Sequence, residues 1–320
     1  MSRLALLGLL LAPLCAVGQE PALSADTVTL TFDWPIGMSP RVDLERTRIR
    51  SQGGLSADSS RMRVEYDMAV EDDGNGRLIR YSNFSAPSLV GVSDSEQQLL
   101  QLVSSVAPSY VVSPDGELLV VHELDSIRAT IGTWLDQMFD SLPGVEMRAL
   151  MDQMLSEDVL FALASQEWNA LVGTWVDAEF EVGAAYELEA AEPMPMLGNV
   201  MVLYRYELGA YARVPCQPAG EALDCVELII RSYPDPVELK PHLEAFVQRM
   251  IDAAGGGPEV PSLSYKGFVI ENEVVLVAEP VGLIPHSLTI SRATDVVMDV
   301  GGVEQVGSDY QLAEYRFTHR

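Results

Sequence analysis

Basic charge is what this chain has least of. Its 320 residues hold 20 Lys and Arg against 47 Asp and Glu, for a formal net charge of −27, and lysine occurs only as Lys240 and Lys266. So acidic a surface repels phosphodiester backbones and anionic headgroups, so nucleic acid is not expected as a partner. Cysteine is almost as scarce, with Cys15, Cys216 and Cys225 alone. The four histidines, His122, His242, His286 and His319, fall on unrelated stretches. After the first two dozen residues no apolar run approaches the roughly 20 residues that a membrane-spanning helix needs, so no transmembrane segment is expected in the mature chain. Phosphate-binding loops, dinucleotide fingerprints and Gly-x-Ser-x-Gly elbows are missing. His122-Glu123 begins like a zinc-protease motif, but Ser126 stands where the second histidine must be. The motifs thus point to no cofactor and no metal, and lean away from an enzyme. A Ser-His-Asp site assembled only by folding stays open, because such triads are recognised by geometry and not by chain order.

What is present begins with an export leader. Arg3 is followed by the apolar run Leu4 to Leu14, and Ala16-Val17-Gly18 puts small residues where a signal peptidase reads, so residues 1–18 are expected to be removed. Cys15 offers the alternative of a lipid anchor, which Leu14 disfavours because that chemistry wants a small residue before the cysteine. The mature chain, 19–320, is read as an exported periplasmic or extracellular protein. With 48% hydrophobic residues it has the material for a large core and is not disordered. It is either a single large domain or two intimately packed halves, about 19–172 and 173–320. In an exported protein, Cys216 and Cys225, with eight residues between them in a loop between strand-like runs, are expected to form a disulfide.

Thr27 to Phe32 alternates, with Val28, Leu30 and Phe32 on one face and threonines opposite, which predicts a strand. A second strand is expected near Val42 to Ile49. From Arg61 to Val70 the apolar positions Met62, Val64, Tyr66, Met68 and Val70 alternate with charge, the pattern of a sheet wet on one side. Asp72-Asp73-Gly74-Asn75-Gly76 reads as a hairpin turn, since twelve positions from Asp73 lead to Phe84 and not to the glutamate a calcium loop requires. Ser93 to Glu96 is a capping box before a helix. Tyr110-Val111-Val112 and Leu118 to Val121 flank Ser113-Pro114-Asp115-Gly116, a turn with its proper residues in order. This hairpin is expected in the middle of the body. Helical stripes follow, through Leu124, Ile127, Ile131, Trp134, Leu135, Met138 and Phe139, then Met151 and Met154, then Leu160, Leu163 and Trp168.

The second half is mostly strand. Ala178 to Leu188 alternates as one strand, Val200 to Leu208 is another, and Val226, Leu228 and Ile230 mark a third. Asp235-Pro236 and Pro241 introduce a helix carrying Leu243, Phe246 and Val247. Leu263 to Phe317 reads as four antiparallel strands, turning at Glu271-Asn272-Glu273, at Gly282 to His286 and at Gly301-Gly302. Two strands, a helix and a hairpin run from Arg61 to Val121, and the order recurs from Val200 to Ala278, a possible pseudo-twofold β-β-α-β-β repeat.

Val111 to Val121 and the Gly173-Thr174-Trp175 approach to the next strand give the chain its family likeness. In these features it resembles a group of uncharacterised exported bacterial proteins with a Ser-Pro-Asp-Gly hairpin, helices and then a strand-rich half, a resemblance that implies no activity. At the level of fold it is also similar to periplasmic lipoprotein carriers, which hold acyl chains between a curved sheet and helices.

The expected fold is therefore α+β, a largely antiparallel curved sheet with helices packed on one face. The leading functional expectation is a non-enzymatic binder of a lipid-like or otherwise apolar or amphipathic ligand, with Trp134, Met138, Met151, Met154 and Phe246 as lining residues, because Met adapts to irregular apolar partners. The alternative readings are an interaction module that docks on another envelope protein, and a hydrolase whose site is invisible in sequence.

Overall fold

The structure, a computed structural model, describes residues 26–53, 57–93, 97–98, 107–139, 155–194, 197, 199–217, 222, 224–253 and 263–319. The leader, Cys15, Met151, Met154 and most of the helix expected after Ser93 lie outside the described residues. In chain order the strands are β1 (Thr27–Thr29), β2 (Thr31–Phe32), β3 (Arg41–Gln52), β4 (Asp58–Asp72), β5 (Arg77–Val90), β6 (Tyr110–Val112) and β7 (Leu118–Val121), then β8 (Glu179–Glu181), β9 (Tyr186–Met194), β10 (Val200–Val214) and β11 (Cys225–Pro234), and last β12 (Leu263–Glu279), β13 (Val281–Gly282), β14 (Ile284–Val300) and β15 (Val303–Thr318). The helices are α1 (Leu124–Phe139), α2 (Glu157–Trp168) and α3 (Pro236–Ala253), and α2 runs on into a π-helical turn, Asn169–Gly173.

Eleven strands form one sheet in the order β7-β6-β5-β4-β3-β15-β14-β12-β11-β10-β9, and every pair in it is antiparallel. Early and late chain meet in its middle, where β3 pairs with β15 from Arg41 opposite Thr318 to Gln52 opposite Gly307. The expected first strand forms, but apart from this sheet: β1 pairs with β8, and β2 lies parallel to β13. Its alternation is kept, with Val28, Leu30 and Phe32 buried and the threonines exposed. Among the described residues no helix is long and apolar enough to cross a membrane.

The core is drawn from both halves, because the apolar faces of β3 to β6, β10 to β12 and β14 to β15 share one contiguous cluster with the 28–34 segment and the stretch 168–180. At its centre Trp34, Trp168 and Trp175 are fully buried. A buried indole N–H needs an acceptor, and each has one at 2.9 Å: the carbonyls of Leu283, Gly116 and Ala170 respectively. Phe32, Trp34 and Trp168 touch pairwise, with ring centroids 5.3 to 5.7 Å apart. A second, smaller cluster sits under α3, where Leu197, Val202, Leu239 and Phe268 are buried and Leu243 and Phe246 pack against them.

The Ser-Pro-Asp-Gly hairpin forms as read. Ser113 Oγ accepts from the amides of Asp115 (3.2 Å) and Glu117 (3.0 Å), and Gly116 closes the turn at φ +85°. It stands at one border of the sheet instead of its middle, although its tip reaches the core: a Cβ on Gly116 would lie 2.9 Å from Phe32 Cγ. Three further expectations are corrected. Glu271-Asn272-Glu273 is no turn; β12 runs straight through it, paired with β14 and held by Arg231 Nε on Glu273 (2.7 Å) and Asn272 on Ser232 (3.2 Å). The last stretch is thus three long strands, with turns at Gly282-Leu283 and Gly301-Gly302, all four residues at positive φ. Ala178 to Leu188 is two strands, since Gly183, at φ +87°, breaks the run that alternation alone could not. The last helix starts at Pro236, where proline lacks only an amide that needs no partner, and Asp235 caps it through the amides of Val237 (2.7 Å) and Glu238 (3.0 Å). Cys216 and Cys225 are bonded with Cα atoms 5.0 Å apart, and staple the β10–β11 hairpin.

Candidate functional site

Val42, Leu44, Arg46, Arg48 and Arg50 alternate along one face of β3, on which Arg46 and Arg50 are exposed and Arg48 is half-buried. The first two are buried, and the same face then turns cationic. Arg48 is neutralised by Asp309 on the neighbouring strand through Nε and Nη2, at 2.9 and 2.5 Å, and this hydrogen bonding holds the Asp309 carboxyl below its usual range. Arg50 approaches the same carboxylate at 4.0 Å. Arg46 makes no ion pair among the described residues. It lies between Ala313 of β15 and Met62 of β4 in the pairing, beside the Tyr315 phenol.

Arg46 opens into a cavity of about 190 Å³. Leu44, Met62, Val64 and Tyr66 of β3 and β4 make its floor, Tyr81 and Phe84 of β5 one side, and Ala107, Pro108 and Tyr110 another. Tyr66 stacks on Phe84 with centroids 5.1 Å apart and meets Tyr81 edge-on at 5.5 Å, while Tyr81 meets Tyr110 edge-on at 5.6 Å. Such edge and offset contacts fix ring orientation better than aliphatic packing would. The remaining lining residue is Glu167, from the last turn of α2. Its position is set by the next residue, Trp168, whose ring is locked against Phe32 and Trp34 and whose N–H is tied to Gly116.

Among the described residues, Arg46 and Glu167 are the only charged lining groups, and they lie on opposing elements, sheet and helix. Burial raises the Glu167 carboxyl above its ordinary pKa, with Arg46 partly opposing the shift. Burial also lifts the phenols of Tyr66 and Tyr81 well above their usual range, raises Tyr110, and pushes Tyr315 up to about 12. At neutral pH the tyrosines are therefore neutral donors and acceptors. The cavity offers apolar walls, one permanent positive charge, one acid disposed to keep its proton, and hydroxyls to orient a polar group. That is the equipment of a binding pocket.

Of the lining residues expected from sequence, the side chains of Trp134 and Phe246 are described, and neither lines this cavity. Trp134 lies on α1, half-buried, with a buried indole nitrogen that has no partner among the described residues. Phe246 packs in the cluster under α3. Met138 belongs to α1, but its side chain is outside the described residues, as are Met151 and Met154 entirely. Among the described residues no histidine is hydrogen-bonded to a serine: His286 meets Glu279 at 3.1 Å, and His319 meets the Pro285 carbonyl at 2.7 Å. Folding does bring His286 to Cys216 and Cys225, with all three possible ligand atoms within 4.8 Å of one another, but the disulfide occupies both sulfurs. No family model matches this chain, and no curated protein matches it.

Proposed function

We propose that this chain is an exported, non-enzymatic protein that binds an apolar or amphipathic small molecule between its sheet and its helices. The observation that carries the reading is the cavity itself, apolar on the floor and sides, with one cation from the sheet facing one acid from a helix. In this reading the sheet curves round the shared core and the helices roof its inner face, as in the lipoprotein carriers that the sequence resembles. Export is supported by the leader pattern in residues 1–18 and by the Cys216–Cys225 bond, since disulfides persist in oxidising compartments.

Size limits the occupant. Cavities for drug-sized ligands run from about 300 Å³ upward, while an engineered cavity of about 150 Å³ holds benzene. At about 190 Å³ the site takes a group of that order, either a small molecule or one end of a longer chain. Native mass spectrometry of the protein purified from its source tests this. The expected result is a bound organic mass that is lost in Met62→Trp, which fills the floor while the fold is retained. Bare protein from the source, together with no binding of hexanol or hexanoate in vitro, would overturn it.

A further inference from the structure

Resting on that reading, we infer that the ligand is a small monocarboxylate amphiphile, whose carboxylate pairs with Arg46 while its apolar part fills the space between Met62, Val64 and Phe84. The charge inventory selects the headgroup. In a protein of net charge −27, a guanidinium that faces an apolar cavity and has no ion pair among the described residues is against the general trend. Its two neighbours along the strand face, Arg48 and Arg50, share Asp309, which leaves Arg46 open to an anion from the cavity.

Glu167 does not take that place, for no ion pair joins it to Arg46 among the described residues, and it too faces the cavity. A single guanidinium balances one negative charge. A phosphate monoester, near two charges at neutral pH, would leave one unmatched opposite an acidic residue. A carboxylate also fits the planar two-pronged donor set of arginine, which lysine lacks. The hydroxyls of Tyr66, Tyr81 and Tyr110 line the same cavity and can add hydrogen bonds to the headgroup. A cationic amphiphile would face Arg46 directly and is excluded by the same logic. Cavity volume sets the apolar part at roughly a six-carbon ring or chain.

The test is calorimetry on the full mature chain with four probes of equal length: hexanoate, methyl hexanoate, hexanol and hexylamine. Hexanoate should bind about tenfold or more tighter than the ester or alcohol, because a charge-assisted hydrogen-bonded pair outweighs neutral contacts by that much. Arg46→Gln should abolish the preference of hexanoate over the ester and the alcohol. Arg46→Lys should keep the sign of the preference but lose most of its size. Equal binding of all four probes, or a preference that survives Arg46→Gln, would overturn the carboxylate while leaving the binding protein standing. Failure of every probe would overturn both.

Discussion

Under α3 the inner face of the sheet is filled. Leu239 and Phe268 are buried there, and Leu243 and Phe246 close over them. Beneath Glu167 the inner face of β3 to β5 keeps about 190 Å³ empty of side chains. The same covering device, a helix laid on strands, thus gives a packed side and a hollow one. The difference teaches that laying a helix on these strands does not by itself decide whether the space beneath it is filled.

The comparison breaks most violently at Trp168, the residue that holds the hollow side in shape. Trp168→Ala removes a fully buried ring and its bond to Gly116, and should cost about 3–5 kcal/mol in urea unfolding. If the hollow side were merely loose, the loss would be far smaller. Leu239→Ala, in the packed side, should cost about 3 kcal/mol, whereas Met62→Ala in the cavity floor, which only enlarges an existing space, should cost less than about 1.5 kcal/mol. Equal losses would erase the distinction between the two sides. Replacing both Cys216 and Cys225 by Ser should remove about 2–3 kcal/mol, the chain-entropy value for a separation of nine residues, and leave ligand binding on the hollow side untouched.

The smallest effect expected is at Glu167. Its folded pKa is raised above the ordinary 4.5, so the folded protein keeps a proton that the unfolded chain has released. Stability from this group is therefore lost as pH climbs from about 4.5 through the raised value. Glu167→Gln should be more stable than the parent at pH 8, with the gap closing toward pH 4, as read by thermal melts across that range.

Much of this was legible in the residues. Alternation found β1, β4, β6, β7 and β10, and Ser113 to Gly116 specified its own turn. The cysteine spacing found the disulfide. What failed failed for physical reasons. Glu271-Asn272-Glu273 looks like a turn only until Arg231 and Ser232 on the neighbouring strand supply partners for it. Gly183 sits in a run whose period survives the break, so pattern alone runs straight through it.

The site left two signals unread. Val42, Leu44, Arg46, Arg48 and Arg50 recur at every second residue, so three arginines share the face of a buried valine and leucine. Glu167 falls on the stripe through Leu160, Ala164, Trp168 and Leu171, an acid where an apolar residue belongs. Both are charges set in line with buried apolar residues, where alternation or helical period calls for an apolar side chain. What no local pattern held was that the two would face each other.

The segment that carries Leu30 and Trp34 has one further consequence. Thr31 donates its amide to the Pro280 carbonyl, and Trp34 its indole N–H to that of Leu283, 249 residues away in the chain. The first piece to leave the ribosome therefore waits for almost the last before the centre of the molecule can close. A polypeptide wired in this way folds slowly and all at once, since distant loops must be shut before their contacts give any return. Residues 19–172 released on their own should remain unfolded in circular dichroism.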